Sequence, residues 1–426
     1  MTEPIQPVRG MNDILPEEAP LWERLESAAA RIFGSYGYRR IRIPVLERTE
    51  LFSRSIGEAT DIVEKEMYTF EDRNGESVTL RPEATAGVVR ASLSNGLLHN
   101  QQQKLWCSGP MFRREKPQKG RYRQFHQLSV EALGFADPET DAELIAMSAR
   151  LWRELGLRSV VLELNSLGTL ESRAGYRQAL LDYFSQHRNA LDEDSLRRLE
   201  RNPLRILDSK NPDMRELIAA APLLGGHLDA ESREHFEHVQ TLLSDVDIEF
   251  RINPRLVRGL DYYTRTVFEW VTDRLGAQST VCAGGRYDGL VAQLGGRDTP
   301  AVGWALGIER VIELVRAEGG GAAESPADVY LISAGEPARR RGFAVAEELR
   351  SRVPGLKVSI GMPSAGFKAQ LRRADKSGAV FAVIIGDTEL AAGRISVKPL
   401  REEAEQELLT LEEFAARLPG GNRIAT

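Results

Sequence analysis

The run EGGGAAESPAD, residues 318–328, limits what this chain can fold into more than any other stretch. Its Gly, Ala, Ser and Pro residues carry almost no side chain to bury, so it reads as a linker. It leaves a long body before it and a tail at 329–426 of a size that folds alone. Charge divides at the same place. From residue 327 onward there are 15 Lys and Arg against 13 Asp and Glu, while the preceding 326 residues hold 41 against 49. A net charge of -6 disfavours a surface that binds polyanions everywhere, but the tail is basic and the body acidic.

In the tail, VYLIS (329–333), KVSIG (357–361), AVFAVIIG (379–386) and ISVKPL (395–400) are strand-like. Helically spaced segments, PARRRGFAVAEELRSR and FKAQLRRADKSG, lie between the first three, so an α/β unit with a mixed sheet is expected. In the body, Leu21, Trp22, Leu25, Ala28, Ala29 and Ile32 predict a helix over 17–36, followed by a strand at RRIRIPVLE. Asp137 and Pro138 open a second helix that ends at Gly156. SVVLELNSLG, DIEFRINP and TRTVFEWVT read as strands. Residues 171–250 have helical spacing and few β-branched runs, which predicts a helical insertion. The expected division is therefore 1–170 and 251–317 for the two parts of one domain, 171–250 for the insertion, 318–328 for the linker and 329–426 for the tail.

Cys107 and Cys282 are the only cysteines, without zinc-site spacing or a disulfide framework. No run approaches the roughly 20 apolar residues that span a bilayer. With the polar start MTEPIQPVRG, this gives a cytoplasmic expectation and no membrane. The six histidines are scattered. His235 and His238 share a helical face at i, i+3, but in a polar segment they are expected exposed rather than metal-bound.

Between Lys104 and Arg123 stand seven basic residues and one acid, in a strand–loop–strand pattern turning at Lys119, Gly120 and Arg121. Such a loop suits a polyphosphate, because guanidinium forks match phosphate oxygens; a solvated hairpin tip has the same composition. RLVRGLDYYTRTVFEW (255–270) carries Arg258, Gly259, Asp261, Tyr262 and Tyr263. CAGGRYDGLV (282–291) pairs glycines with Arg286, Tyr287 and Asp288, and AVGWALGIERVIELV (301–315) ends a glycine-spaced strand near Arg310. Glycines within strands often mark close approach of a ligand or another backbone. Neither GxxxxGK[ST] nor a strand-linked GxGxxG occurs, so a nucleotide site here must be built another way.

At these stretches the chain resembles the histidyl-tRNA synthetase family of class II aminoacyl-tRNA synthetases, over essentially its whole length. Arg113–Gln127 is similar to the second class II motif, GIER at 307–310 to the third, and residues 36–51, with Pro44, to the first, which makes dimer contacts in the family. LVRGLDYYTRTVFEW and AGGRYDGL resemble the two histidine-specific motifs. RPEATAG at 81–87 has Ala84 where the family has Gly, and Arg114 and Lys116 replace Tyr and Arg.

The resemblance implies an α+β fold: a class II antiparallel sheet flanked by helices, a helical insertion and a C-terminal α/β anticodon-binding domain. It implies ATP-driven formation of histidyl-adenylate and transfer to the terminal ribose of tRNA(His), by a homodimer, with Mg2+ on the pyrophosphate and no protein-only metal site. Arg113 and Arg258 would hold the α-phosphate and are the implied catalytic residues, Arg258 also lying at the histidine. Arg121 and Arg310 would hold the β- and γ-phosphates, with Glu115 near the adenine and Phe125 stacked on it. Glu83, Thr85 and Gln127 would take the histidine ammonium; Glu131, Tyr263 and Tyr287 would line the imidazole pocket. Lys368, Arg372, Arg373 and Lys376, on one helix of the tail, would contact tRNA. His126 alternates with Phe125 and Gln127 and is expected to face away. The insertion could touch the acceptor arm or serve only as packing. Two other readings remain: a non-catalytic regulatory paralogue of ATP phosphoribosyltransferase in histidine biosynthesis, which lacks the C-terminal domain, and a nucleic-acid-binding module without catalysis.

Overall fold

The apolar stripe expected over residues 17–36 folds as helix Ala19–Ser35, burying Leu25, Ala28, Ala29, Ile32 and Phe33. The second helix runs Pro138–Leu155 and stops at Gly156, whose φ of 79° is left-handed and costs a glycine nothing. The computed structural model describes residues 4–418 apart from 57–59, 61, 119, 210, 259, 261, 277–278, 321–326 and 363–364. Lys119, Gly259, Asp261 and most of the linker thus lie outside the described residues. The chain divides into two compact units, Met1–Gly321 and Ala322–Thr426, inside the run 318–328.

The first unit is built on an eight-stranded sheet. Its spatial order is Arg39–Arg40, Gln103–Phe112, Gln124–Leu133, Ala301–Gly307, Thr280–Arg286, Thr264–Val271, Val161–Ser166 and Phe250–Ile252. The six inner strands are antiparallel, and each short edge strand pairs parallel. Strand periodicity separates the faces. Leu128, Val130 and Ala132 enter one core with Phe33, Trp152, Trp270 and Trp304. Gln127, Ser129 and Glu131 alternate with them and face the other way, where the site lies.

Two expectations change. RRIRIPVLE forms two short strands, Arg39–Arg40 and Leu46–Arg48, instead of one. Between them the backbone is held by a side chain: Arg81 Nη1 donates to Ile43 O at 2.9 Å and to Pro44 O at 3.2 Å. His235 is 6% exposed, not solvated; its Nε2 lies 3.3 Å from Asp141 Oδ2, while His238 is exposed. Helix Ala230–Asp245 turns Ser232, His235, Phe236, Val239 and Leu243 inward. Phe236, Val239 and Leu243 join the main core beneath the sheet, whereas Leu180, Phe184, Leu199 and Ile206, earlier in the stretch 171–250, pack in a second core with Tyr262, Tyr263 and Tyr287. The earlier helices therefore back the tyrosines of the histidine motifs.

The second unit has a mixed five-stranded sheet in the order Val358–Ile360, Val329–Ser333, Phe381–Ile385, Ile395–Pro399 and Glu407–Leu409. Its first two pairings are parallel and its last two antiparallel. Helix Glu336–Arg352 buries Ala338, Val345, Ala346 and Leu349. The last strand and the helix Leu411–Arg417, closed by a reciprocal Thr410–Glu413 cap, were not read from the sequence. Among the described residues no helix is long and apolar enough to cross a membrane.

Candidate active site

A cavity of about 280 Å³ opens on the sheet face opposite the main core, and every site residue expected in the first unit lines it except Glu131. Arg113 leaves the end of strand Gln103–Phe112, and its Nε donates to Pro82 O at 2.9 Å. This sets its guanidinium carbon 5.3 Å from the centre of the Phe125 ring. Arg310 begins at the junction of strand Ala301–Gly307 and helix Ile308–Ala317. Its Nε donates to Gly120 O at 2.9 Å and its Nη1 to Thr280 O at 2.8 Å. Burial lowers the pKa of both arginines, and Arg113 and Arg121 lower that of Arg310 further. Arginine nonetheless keeps its proton, so the site holds cations close together that an anion would stabilise.

Arg121 and Glu115, expected at separate parts of the nucleotide, form an ion pair with each other, and Glu66 lies 3.9 Å from Arg121. Arg258 pairs with Glu269, whose second oxygen accepts from Thr280 Oγ1 at 2.8 Å. Burial is the largest influence and opposes the charged form of Arg258, but Glu269, Tyr263 and Tyr262 together outweigh it and the pKa rises. The Nε of Arg258 is buried without a hydrogen-bond partner among the described residues.

Glu83, next to the Pro82 that holds Arg113, caps helix Thr85–Ser94, accepting from Thr85 N at 2.6 Å and Ala86 N at 2.9 Å. Burial raises its pKa against those bonds. Glu131 stands one layer behind the wall, where Ser129, Thr85 and Tyr287 donate to it. Burial pushes its carboxyl up to about 7 despite those donors. Gly303 admits this carboxylate: a Cβ there would come within 2.0 Å of Glu131 Oε2. The rings of Tyr262 and Tyr263 are 4.7 Å apart, and Tyr287 stands edge-on to Tyr262 at 5.5 Å. Oε1 of Gln127 is buried in this pocket with no partner among the described residues, a standing acceptor.

The sequence reading missed Glu269, Thr280 and Tyr262 as members of the wall. The available signal for Glu269 was an acid within the otherwise apolar run VFEWV. Motif neighbours also turn elsewhere. Arg286 is fully buried and binds Asp141, Asp288 and two backbone carbonyls. His126 lies against Glu309 and edge-on to Trp22, away from Phe125 and Gln127.

In the second unit, helix Phe367–Lys376 buries Gln370 and Ala374 and leaves Lys368, Arg372, Arg373 and Lys376 exposed. The four cations lie apart from its buried side.

These features meet a family already described. A family model described as histidyl-tRNA synthetase matches residues 10–311, and one described as an anticodon binding domain matches 328–420. The histidine–tRNA ligase of Halorhodospira halophila (strain DSM 244 / SL1) is 59% identical over 416 residues, 98% of each chain. The crystal structure of apo S. aureus histidyl-tRNA synthetase is 36% identical, with TM-score 0.81 over 96% of this chain and 98% of that one. An ATP phosphoribosyltransferase regulatory subunit/histidyl-tRNA synthetase from Bacillus halodurans C shares the fold at 22% identity, with TM-score 0.66 over 90% of this chain and 99% of that one. With the body matched from residue 10 to 311 and so close a relative along nearly all of the chain, this protein belongs to the histidyl-tRNA synthetase family.

Proposed function

We propose that the chain activates L-histidine with ATP, releasing pyrophosphate, and passes the histidyl group from the adenylate to the 3′-terminal ribose of tRNA(His). The observation that carries this reading is one cavity in which four arginines adjoin acids, tyrosines and an unpartnered amide oxygen. The first step is attack by a histidine carboxylate oxygen on the α-phosphate. It needs alignment and charge neutralisation, not a protein nucleophile.

Arg113 and Arg258 would flank the α-phosphate. Arg121, released from Glu115, and Arg310 would take the β- and γ-phosphates, with the adenine on Phe125 near Glu115. Gln127 Oε1 and Glu83 would accept from the substrate ammonium beside Thr85. Tyr263 and Tyr287, the latter oriented by Glu131, would meet the ring nitrogens, of which a neutral imidazole offers one donor and one acceptor. A pocket matching both nitrogens rejects analogues lacking one by roughly 10⁴-fold, because its own polar groups would be stranded.

Mg2+ would enter with the triphosphate. Among the described residues no group of three or more His, Cys, Asp or Glu gathers to hold a metal, and two carboxylates of the cavity wall, Glu115 and Glu269, are engaged by arginines. Residues 36–51 would form the dimer contact, in the cytoplasm. The exposed cations of helix Phe367–Lys376 would hold backbone phosphates of tRNA, a salt-sensitive contact. The anticodon-domain match at 328–420, with Arg113, Arg258 and Arg310 all at the cavity, weighs against the regulatory-paralogue reading.

The test is charging of tRNA(His) with labelled histidine by the purified protein; a folded preparation that charges none would refute the reading. Deleting 321–426 should weaken charging more than pyrophosphate exchange. Equal losses in a dimer that stays intact would count against the anticodon role.

A further inference from the structure

Thr280 is an inner link in a short chain of contacts. Its hydroxyl donates to Glu269 Oε2 at 2.8 Å, and its carbonyl accepts from Arg310 Nη1 at 2.8 Å. The other carboxylate oxygen of Glu269 pairs with Arg258. Arg258, Glu269, Thr280 and Arg310 are thus linked in sequence along the cavity wall, and the link joins the two arginines proposed to touch different phosphates. Glu269 occupies an expensive place. The strand register sets it directly opposite Glu163, and like charges opposed on a sheet destabilise it. An acid beside a phosphate site also repels the nucleotide, so affinity for ATP does not account for it.

We propose that Glu269 is a positioning residue for adenylate formation: through Arg258 on one oxygen and Thr280 on the other, it fixes the spacing of Arg258 and Arg310 across the phosphates. The proposal rests on the phosphate reading of those arginines. Removing the charge of Glu269 makes the site more attractive to ATP and leaves Arg258 free to swing. Binding and turnover should therefore move in opposite directions, which a residue that merely supports the sheet would not produce.

The experiment measures histidine-dependent pyrophosphate exchange in the full-length protein, with ATP varied, for wild type, Glu269→Gln, Arg258→Ala and the double variant. Glu269→Gln should lower kcat about tenfold or more, with KM for ATP unchanged or lower. The double variant should be no slower than Arg258→Ala, since Glu269 acts through that side chain. Thr280→Val keeps the backbone carbonyl and should show the same signature at about two- to threefold, which supplies the answer if Glu269→Gln folds poorly. A raised KM with unchanged kcat, or losses that multiply in the double variant, would overturn the positioning role. Absence of exchange in the wild type would instead remove the underlying phosphate reading, and a normal rate in Arg258→Ala would remove the role of Arg258 itself.

Discussion

Arg258 and Arg286 come from neighbouring glycine- and tyrosine-bearing motifs, and each is paired with an acid, yet the structure uses them differently. The Arg286 side chain has 0% exposure and all five of its N–H groups are engaged: Nε and Nη2 on Asp141, Nη1 on Phe135 O and Asp288, Nη2 also on Asp137 O. Arg258 keeps 17% exposure, borders the cavity, and has a buried Nε without a partner among the described residues. A saturated arginine joins elements; here it ties strand Thr280–Arg286 to helix Pro138–Leu155. An arginine with donors in reserve can receive a substrate. What separates architecture from chemistry is the set of hydrogen bonds each side chain has already made, not its membership of a motif.

The largest expected effect falls on the saturated partner. Arg286→Ala leaves the fully buried Asp141 without its guanidinium and with only His235 beside it, which should cost about 3–5 kcal/mol, read as a lower denaturant midpoint, with turnover per folded molecule far less affected. Arg258→Ala should do the reverse, slowing adenylate formation by about 10² or more, roughly 2.7 kcal/mol, with a smaller shift in the midpoint. If the two variants lose stability and turnover in the same proportion, the distinction fails.

Gln127→Leu extends the comparison to an acceptor in reserve. It should raise KM for histidine about tenfold while leaving the free protein no less stable, because Oε1 has no partner to lose. A further effect is a slope. Burial raises Glu131 from 4.5 to about 7, so between those values the folded protein holds a proton that the unfolded chain has released. Stability should fall as pH rises through that window, by at most about 1.4 kcal/mol for each step of one in pH, and Glu131→Gln should flatten the fall. Unfolding free energies of both proteins at about pH 5 and about pH 7.5 would check it.

Local signals made much of this legible. The helix Pro138–Leu155 carries its start and stop in Asp137, Pro138 and Gly156, and the period-two alternation around Phe125 and Gln127 gave the face of that strand correctly. What escaped depended on partners distant in sequence. The strand expected at RRIRIPVLE is divided by a guanidinium from Arg81, and His235 is buried because Asp141, on another helix, meets it. Glu269 could be seen as an acid in an apolar strand, but its link to both Arg258 and Thr280 exists only once two strands are paired. Glu115 and Arg121 were each placed at the nucleotide, and only the structure shows that they hold each other.

The measurement that reaches the central claim most directly is exchange of labelled pyrophosphate into ATP by the purified, folded protein, with each amino acid supplied in turn and no tRNA present. Exchange should occur with histidine, at a rate lower by roughly 10⁴ with analogues that lack either ring nitrogen. Exchange that is absent, or that does not depend on histidine, would contradict the claim.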